Sequence, residues 1–202
     1  MDESALITDA QRGDLDAFNT LVLHYQDALF NTARRILGDE EMAADATQEA
    51  FISAFRSLKS FRGGSFKAWL MRTITNAAYD ELRRRKRRPT TALEPDGEDG
   101  DGLDEPRWLA DPSLSPEESA EAAELEHAME HCLEGLPFEF RTVVVMADIE
   151  GLDYTEVALA ARVPLGTVKS RIARARLRLR DCLQGFEELL PAMFRLQHEP
   201  GS

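Results

Sequence analysis

Apolar residues recur at helical spacing along most of the chain, and they divide it into two groups of helices. Phe18, Leu21, Val22, Tyr25 and Leu29 follow Asp14, a residue suited to cap a helix N-terminus, and Gly38 suits its end. A second helix is expected from about 40 to 57, with Ala46, Ala50, Phe51, Ala54 and Phe55 inward. Ser60, Phe61, Arg62, Gly63 and Gly64 break the pattern as a loop. A third helix begins near Ser65 and turns Phe66, Leu70, Ile74, Ala77 and Leu82 inward. The first module is therefore placed at residues 1–88.

Residues 89–118 change character. They hold five prolines and many acids but few apolar residues to bury, so this segment is expected to be a flexible acidic linker. Its one large apolar pair, Trp108 and Leu109, suits a docking point or incidental packing equally. The second module is placed at 119–190 and a tail at 191–202. Leu125, Met129, Cys132, Leu133 and Leu136 form a helical stripe. Thr142, Val143, Val144, Val145 and Met146 favour a strand by intrinsic propensity. Their setting between helical patterns, with no strand to pair with, predicts helix instead. The expected fold is all-α: two small helical domains joined by the linker.

Charge sharpens this division. The formal net charge is −13, yet residues 91–126 alone carry −12 and the remainder only −1. That near-neutral remainder contains an unbroken basic run, Arg83 to Arg88, and a second cluster formed by Lys169, Arg171, Arg174, Arg176, Arg178 and Arg180. Overall acidity thus masks two basic patches of the kind that contact nucleic acid. No apolar run is long enough to span a bilayer, and the N-terminus lacks the features of a secretory signal, so a cytoplasmic protein is expected. Cys132 and Cys182 lie on apolar helical faces and read as small core residues, although two cysteines can also pair.

The sharpest motif runs from Gly151 to Ile172. Asp153 followed by Glu156 forms a capping box, Ala158, Ala160 and Ala161 permit close helix approach, and Pro164 suits the start of the next helix. Val168, Ile172, Ala175 and Leu179 face inward there, leaving Thr167, Lys169, Ser170, Arg171 and Arg174 near an open N-terminal half. This is the pattern of a helix-turn-helix whose second helix enters the major groove. On the third helix of the first module, Arg72, Asn76, Tyr79 and Arg83 share one face, with Arg84 beside them. Asparagine can read adenine, tyrosine can stack on a base, and arginine can hold phosphate. The helix at 40–57 carries a polar stripe of Asp45, Gln48 and Glu49 beside Ile52, poor for DNA but suited to a protein. His127 and His131, with Cys132 adjacent, have metal-compatible spacing but no fourth ligand, and no nucleotide-binding or catalytic motif occurs, so neither a metal, a cofactor nor an enzyme is expected.

These residues resemble the bacterial sigma factors of the extracytoplasmic-function group. The resemblance spans about residues 10–185. Its carriers are Asp45-Ala46-Thr47-Gln48-Glu49-Ala50-Phe51, Ser60-Phe61-Arg62-Gly63 ahead of Trp69-Leu70, Asn76 ahead of Asp80-Glu81-Leu82-Arg83-Arg84, and Gly166-Thr167-Val168-Lys169-Ser170-Arg171. It implies that Asp45, Gln48, Glu49 and Ile52 dock on core RNA polymerase. It implies that Ser60, Phe61, Arg62, Arg72, Asn76, Tyr79, Arg83 and Arg84 serve the minus-ten element, where a base is captured unpaired. It gives Thr167, Lys169, Ser170, Arg171 and Arg174 the minus-thirty-five element. The linker is then similar to the segment that threads toward the polymerase active centre. An anti-sigma protein becomes an expected partner, and from the short tail after Leu183 no large regulatory extension is expected. Ala173 departs from family members with a larger side chain at that position. The rival readings are a helix-turn-helix regulator that acts without polymerase and a decoy that binds an anti-sigma protein but no DNA.

Overall fold

Aspartates set half of the helix starts. In the computed structural model, which describes residues 1–87 and 116–189, Asp2 caps α1 (Glu3–Gln11), Asp14 caps α2 (Leu15–Leu37) and Asp39 caps α3 (Glu40–Ser57). Each carboxylate accepts from backbone N–H groups that the helix leaves unpaired. The Met42 N–H, then Arg85, holds the Asp39 carboxyl below its ordinary range. Gly38 ends α2 at φ +70°, the left-handed region that glycine reaches without strain. A 3-10 turn, Leu58–Ser60, leads to the loop before α4 (Phe66–Arg87). Then come α5 (Pro116–Glu134), α6 (Phe138–Val144), α7 (Tyr154–Ala161) and α8 (Leu165–Leu183), closed by a 3-10 turn at Gln184–Leu189.

The all-α expectation holds among the described residues, where every regular element is helical. Residues 89–115 of the expected linker, with Trp108 and Leu109, lie outside them, as do Arg88 and the tail at 191–202. Helix α1 was not expected. It buries Ile7 and Ala10, and the Gln11 side chain donates to the carbonyls of Leu58 and Phe61 at 3.0 and 2.9 Å, tying down the loop before α4.

The run from Thr142 to Met146 is helical as expected, passing from α6 into a π-helical turn, Val145–Ile149. All five residues are buried to within 2%. Burial of about 1.5–3 kcal/mol per large apolar side chain outweighs the few tenths that separate β-branched from straight-chain residues in a helix.

The two helical groups, α1–α4 and α5–α8, pack directly on each other. Val143, Met146 and Ile172 join a core with Leu29, Leu70 and Met71, while Ile36 and Ala78 sit among Cys132, Leu133, Val145 and Ala175. The inward face of α4 is therefore wider than its sequence stripe, because Met71 and Ala78 are also fully buried. A Cβ at Gly38 would approach Arg141 Nη1 to 3.0 Å, so glycine serves this contact as well as the turn. Two expectations are corrected. Cys132 and Cys182 form a disulfide between the C-terminal ends of α5 and α8, their Cα atoms 5.8 Å apart, because two faces read separately as apolar share one core cluster. Phe55, expected inward, stays 47% exposed, its ring tilted against Phe18 at 5.0 Å, because the small residues Ala43, Ala46, Ala50 and Ala54 form the buried face of α3.

Candidate nucleic-acid interface

On α3 the small residues Ala43, Ala46, Ala50 and Ala54 are buried, which lets the helix lie close to its neighbours. The opposite side presents Asp45, Gln48, Glu49 and Ile52, all exposed. Beside this stripe, α2 and α3 enclose a groove of about 350 Å³ whose walls include Val22, Phe30, Gln48 and Phe51. Exposed Leu23 and Ile52 add apolar area to a surface that otherwise carries acids.

The edge of α3 that carries Glu49, the outer face of α4 and Leu159 and Arg162 at the end of α7 form a cleft of about 310 Å³. It gathers Ser60, Arg72 and Asn76 from the expected set. Sequence reasoning gave no cleft role to Ser53, Ser57, Trp69, Thr73 or Asp80, which line it too. Trp69 was the most legible of these, an aromatic one turn into α4. Phe61 lies behind the cleft, edge-on to Phe66 at 5.4 Å and tilted on Trp69 at 5.6 Å, so it buttresses the wall. Arg62 is exposed on the loop and donates to the Lys59 carbonyl at 3.3 Å. Arg83 and Arg84 lie further along α4, paired with Asp80 and Glu81 at 3.4 and 2.9 Å.

Tyr79 departs from its expected outward face. Its ring stands edge-on to Phe138 of α6 at 4.8 Å. Burial pushes its phenol above the ordinary value, while the charge of nearby Arg171 opposes that shift. In this arrangement Tyr79 belongs to the contact between modules, which no local pattern announced.

The helix-turn-helix forms as its sequence predicts. Asp153 accepts from the N–H groups of Thr155 and Glu156 at 2.7 and 2.9 Å, and Glu156 accepts from the Asp153 N–H at 3.0 Å, completing the capping box. Helix α7 ends at Arg162 with φ +54°, an unusual conformation for a residue with a Cβ. Val168, Ile172, Ala175 and Leu179 are buried on α8. Lys169, Ser170 and Arg174 are exposed, and Thr167 and Arg171 half-buried.

The cations of α8 fall into two sets. Arg176 grips Asp148 with two hydrogen bonds of 2.8 and 2.6 Å, which raises its already high pKa. Arg178 lies over the Phe140 ring at 5.1 Å, and Arg180 pairs with Asp181 at 2.9 Å. Lys169 and Arg174 make no ion pair among the described residues, leaving the N-terminal half of α8 as its open basic face. His131, the C-terminal member of the histidine pair, is edge-on to Phe186 at 5.8 Å. Among the described residues no helix is long and apolar enough to cross a membrane.

Fold and surfaces define a class: a two-module helical protein whose second module contains a helix-turn-helix. A family model of sigma-70 region 2 matches residues 21–88, and one of sigma-70 region 4 matches residues 126–179. The RNA polymerase sigma-H factor of Pseudomonas aeruginosa is 38% identical over 183 residues, covering 90% of this chain and 94% of that protein. The ECF RNA polymerase sigma factor SigW of Bacillus subtilis is 34% identical over 179 residues, covering 88% and 95%. Among solved structures, CnrH in complex with the cytosolic domain of CnrY superposes with a TM-score of 0.61 at 27% identity, covering 90% of this chain and 96% of that one. The chain belongs to the sigma-70 family, in its extracytoplasmic-function group, and is an RNA polymerase sigma factor directing transcription initiation.

Proposed function

We propose that three surfaces divide the work of initiation. Asp45, Gln48, Glu49 and Ile52, with the groove beside them, dock on core RNA polymerase. The cleft of Ser60, Arg72 and Asn76 takes an unpaired base of the minus-ten element, with Phe61 bracing it and Arg62, Arg83 and Arg84 on flanking phosphates. Thr167, Lys169, Ser170, Arg171 and Arg174 read the duplex minus-thirty-five element. The module boundaries near 88 and 119 then separate two DNA-reading units.

The observation that carries this reading is the cleft on α4. It is large enough for a base, walled by Trp69 and by Leu159 of the second module, and furnished with the Asn76 amide, the Arg72 and Arg162 guanidiniums and the Glu49 and Asp80 carboxylates. A duplex-only regulator has no use for such a pocket. The chain itself does no covalent chemistry and takes no cofactor; it positions polymerase on promoter DNA in the cytoplasm. An anti-sigma protein is the further partner that the family brings.

Core docking is tested by reversing charge on the acidic stripe. Asp45→Lys with Glu49→Lys should weaken capture of core polymerase by this chain, with the circular dichroism spectrum unchanged. Both side chains are solvent-exposed, so the fold should tolerate the change. Undiminished capture would remove α3 from the docking surface.

A further inference from the structure

Helix α1 has no part in the three surfaces, yet it reaches the loop that borders the base-capture cleft. It lies ahead of the region that the family model covers. Ile7 and Ala10 are buried and fix it on the first module. From its last residue, Gln11 Nε2 donates to the Leu58 carbonyl at 3.0 Å and to the Phe61 carbonyl at 2.9 Å. These carbonyls bracket Lys59 and Ser60, and Ser60 lines the cleft. Both amide protons of one side chain are thus engaged on a single short stretch of backbone.

That stretch has little else to hold it. Among the described residues, every other hydrogen bond of residues 58–65 ends within four positions along the chain. Ser60 donates to the Ser57 carbonyl, Arg62 to the Lys59 carbonyl, and the Ala68 N–H to the Ser65 hydroxyl. Gly63 and Gly64 stand at φ +98° and +89°, with nothing within 4 Å of where a Cβ would lie. They serve the conformation of the turn, not close packing, and two adjacent glycines leave the backbone many alternatives. A second path runs from the other end of α1. Glu3 accepts from the Tyr25 hydroxyl, the Tyr25 ring is edge-on to Phe66 at 5.8 Å, and Phe66 stacks on Trp69 at 5.4 Å. Helix α1 therefore backs both the loop and the aromatic wall of the cleft.

We propose that Gln11 is a positioning residue for base capture: its two hydrogen bonds hold Ser60, Phe61 and Arg62 at the edge of the cleft before a base arrives. The role rests on the cleft reading above. A loop ordered beforehand loses no affinity to its own ordering when the strand binds. Gln11 touches no nucleotide in this role. It acts through Phe61, whose carbonyl it holds and whose ring braces Phe66 and Trp69.

The test uses the full chain with core polymerase and two promoter templates, one intact duplex and one whose minus-ten strand is unpaired. Gln11→Met keeps the length and removes both donors. Gln11→Glu keeps the shape but sets a carboxylate against the two carbonyls, and Gln11→Lys keeps a donor. The Met and Glu variants should bind the unpaired template about tenfold more weakly, as expected when the competent loop falls from most molecules to about a tenth. Duplex binding and capture of core polymerase should not change, and Gln11→Lys should retain most of the affinity. In the free chain, amide exchange over residues 61–68 should quicken in the Met and Glu variants but not in Gln11→Lys. A purely structural role would lower the melting temperature and leave the ratio of the two affinities as it was. An unchanged ratio in the Met and Glu variants, or equal losses on both templates, overturns the proposal. Asn76→Ala, measured alongside, judges the cleft separately. A loss on the unpaired template from Asn76→Ala without one from Gln11→Met overturns the role of Gln11 alone; no such loss from Asn76→Ala overturns the cleft, while Gln11 still stands or falls on its own ratio.

Discussion

At the scale of single residues, Asn76 and Arg174 suit different forms of DNA. Arg174 is exposed on the N-terminal half of α8, the helix proposed to read intact duplex, and a contact of that kind does not depend on strand opening elsewhere. Asn76 lies in a cleft that a stacked base cannot enter. Bringing a base out of the stack costs a few kcal/mol, and a residue that captures it repays that cost only after opening. With core polymerase present, Arg174→Ala should therefore cost about 1–3 kcal/mol on both duplex and pre-melted promoters. Asn76→Ala should leave duplex binding nearly unchanged and weaken binding to a promoter whose minus-ten strand is already unpaired. Equal losses for Asn76→Ala on the two templates would return the first module to ordinary duplex recognition. Asn76 and Arg72 were legible in the sequence because both are polar residues on one outward face of α4. Tyr79 shares that face by spacing, but a larger apolar surface, Phe138, claims its ring.

Among the elements, α5 and α8 are joined most firmly. The disulfide between Cys132 and Cys182 closes a loop over a sequence separation of 50. Restricting a loop of that length in the unfolded chain is worth about 4 kcal/mol in the chain-entropy model. Reduction should lower the melting temperature of the second module by about 15–30 °C, read by calorimetry with and without a thiol reductant. The double variant Cys132→Ala, Cys182→Ala should melt with the reduced protein whether or not reductant is present. Coincident melting of oxidised and reduced protein would show that the bridge adds no stability. Helix α6 and its π-helical turn show how a tertiary setting decides an ambiguous element. The same β-branched run on a sheet surface would be a strand; here it is enclosed by helices of both modules.

Across the whole molecule the charge is unevenly spread, and this has a measurable consequence. Residues 91–126 carry a net −12 beside two basic surfaces. Such a segment competes with phosphate for Lys and Arg, most strongly where salt does not screen it. Replacing the acids of residues 94–118 with Ser or Gln should raise the affinity of the free chain for nonspecific duplex DNA, with the gain largest at low salt. Equal affinity at low salt would leave the segment as a tether alone.

The sequence by itself determined the helical fold, several helix ends and the positions of the basic residues. Those features depend on neighbours within one or two turns: aspartates before N-termini, Gly38 after α2, the Asp153–Glu156 box, and apolar stripes at the helical period. Only the tertiary structure decided how the modules meet, which arginines of α8 are already engaged, where Tyr79 faces and that the cysteines pair. Apart from Arg180, which pairs with the adjacent Asp181, these join residues far apart in the chain, as the hydrogen bond across 118 positions from Thr32 to Glu150 illustrates. No local periodicity encodes such a pair. It exists because whole helical faces must be covered together, and the burial of many side chains at once selects which distant groups end up in contact.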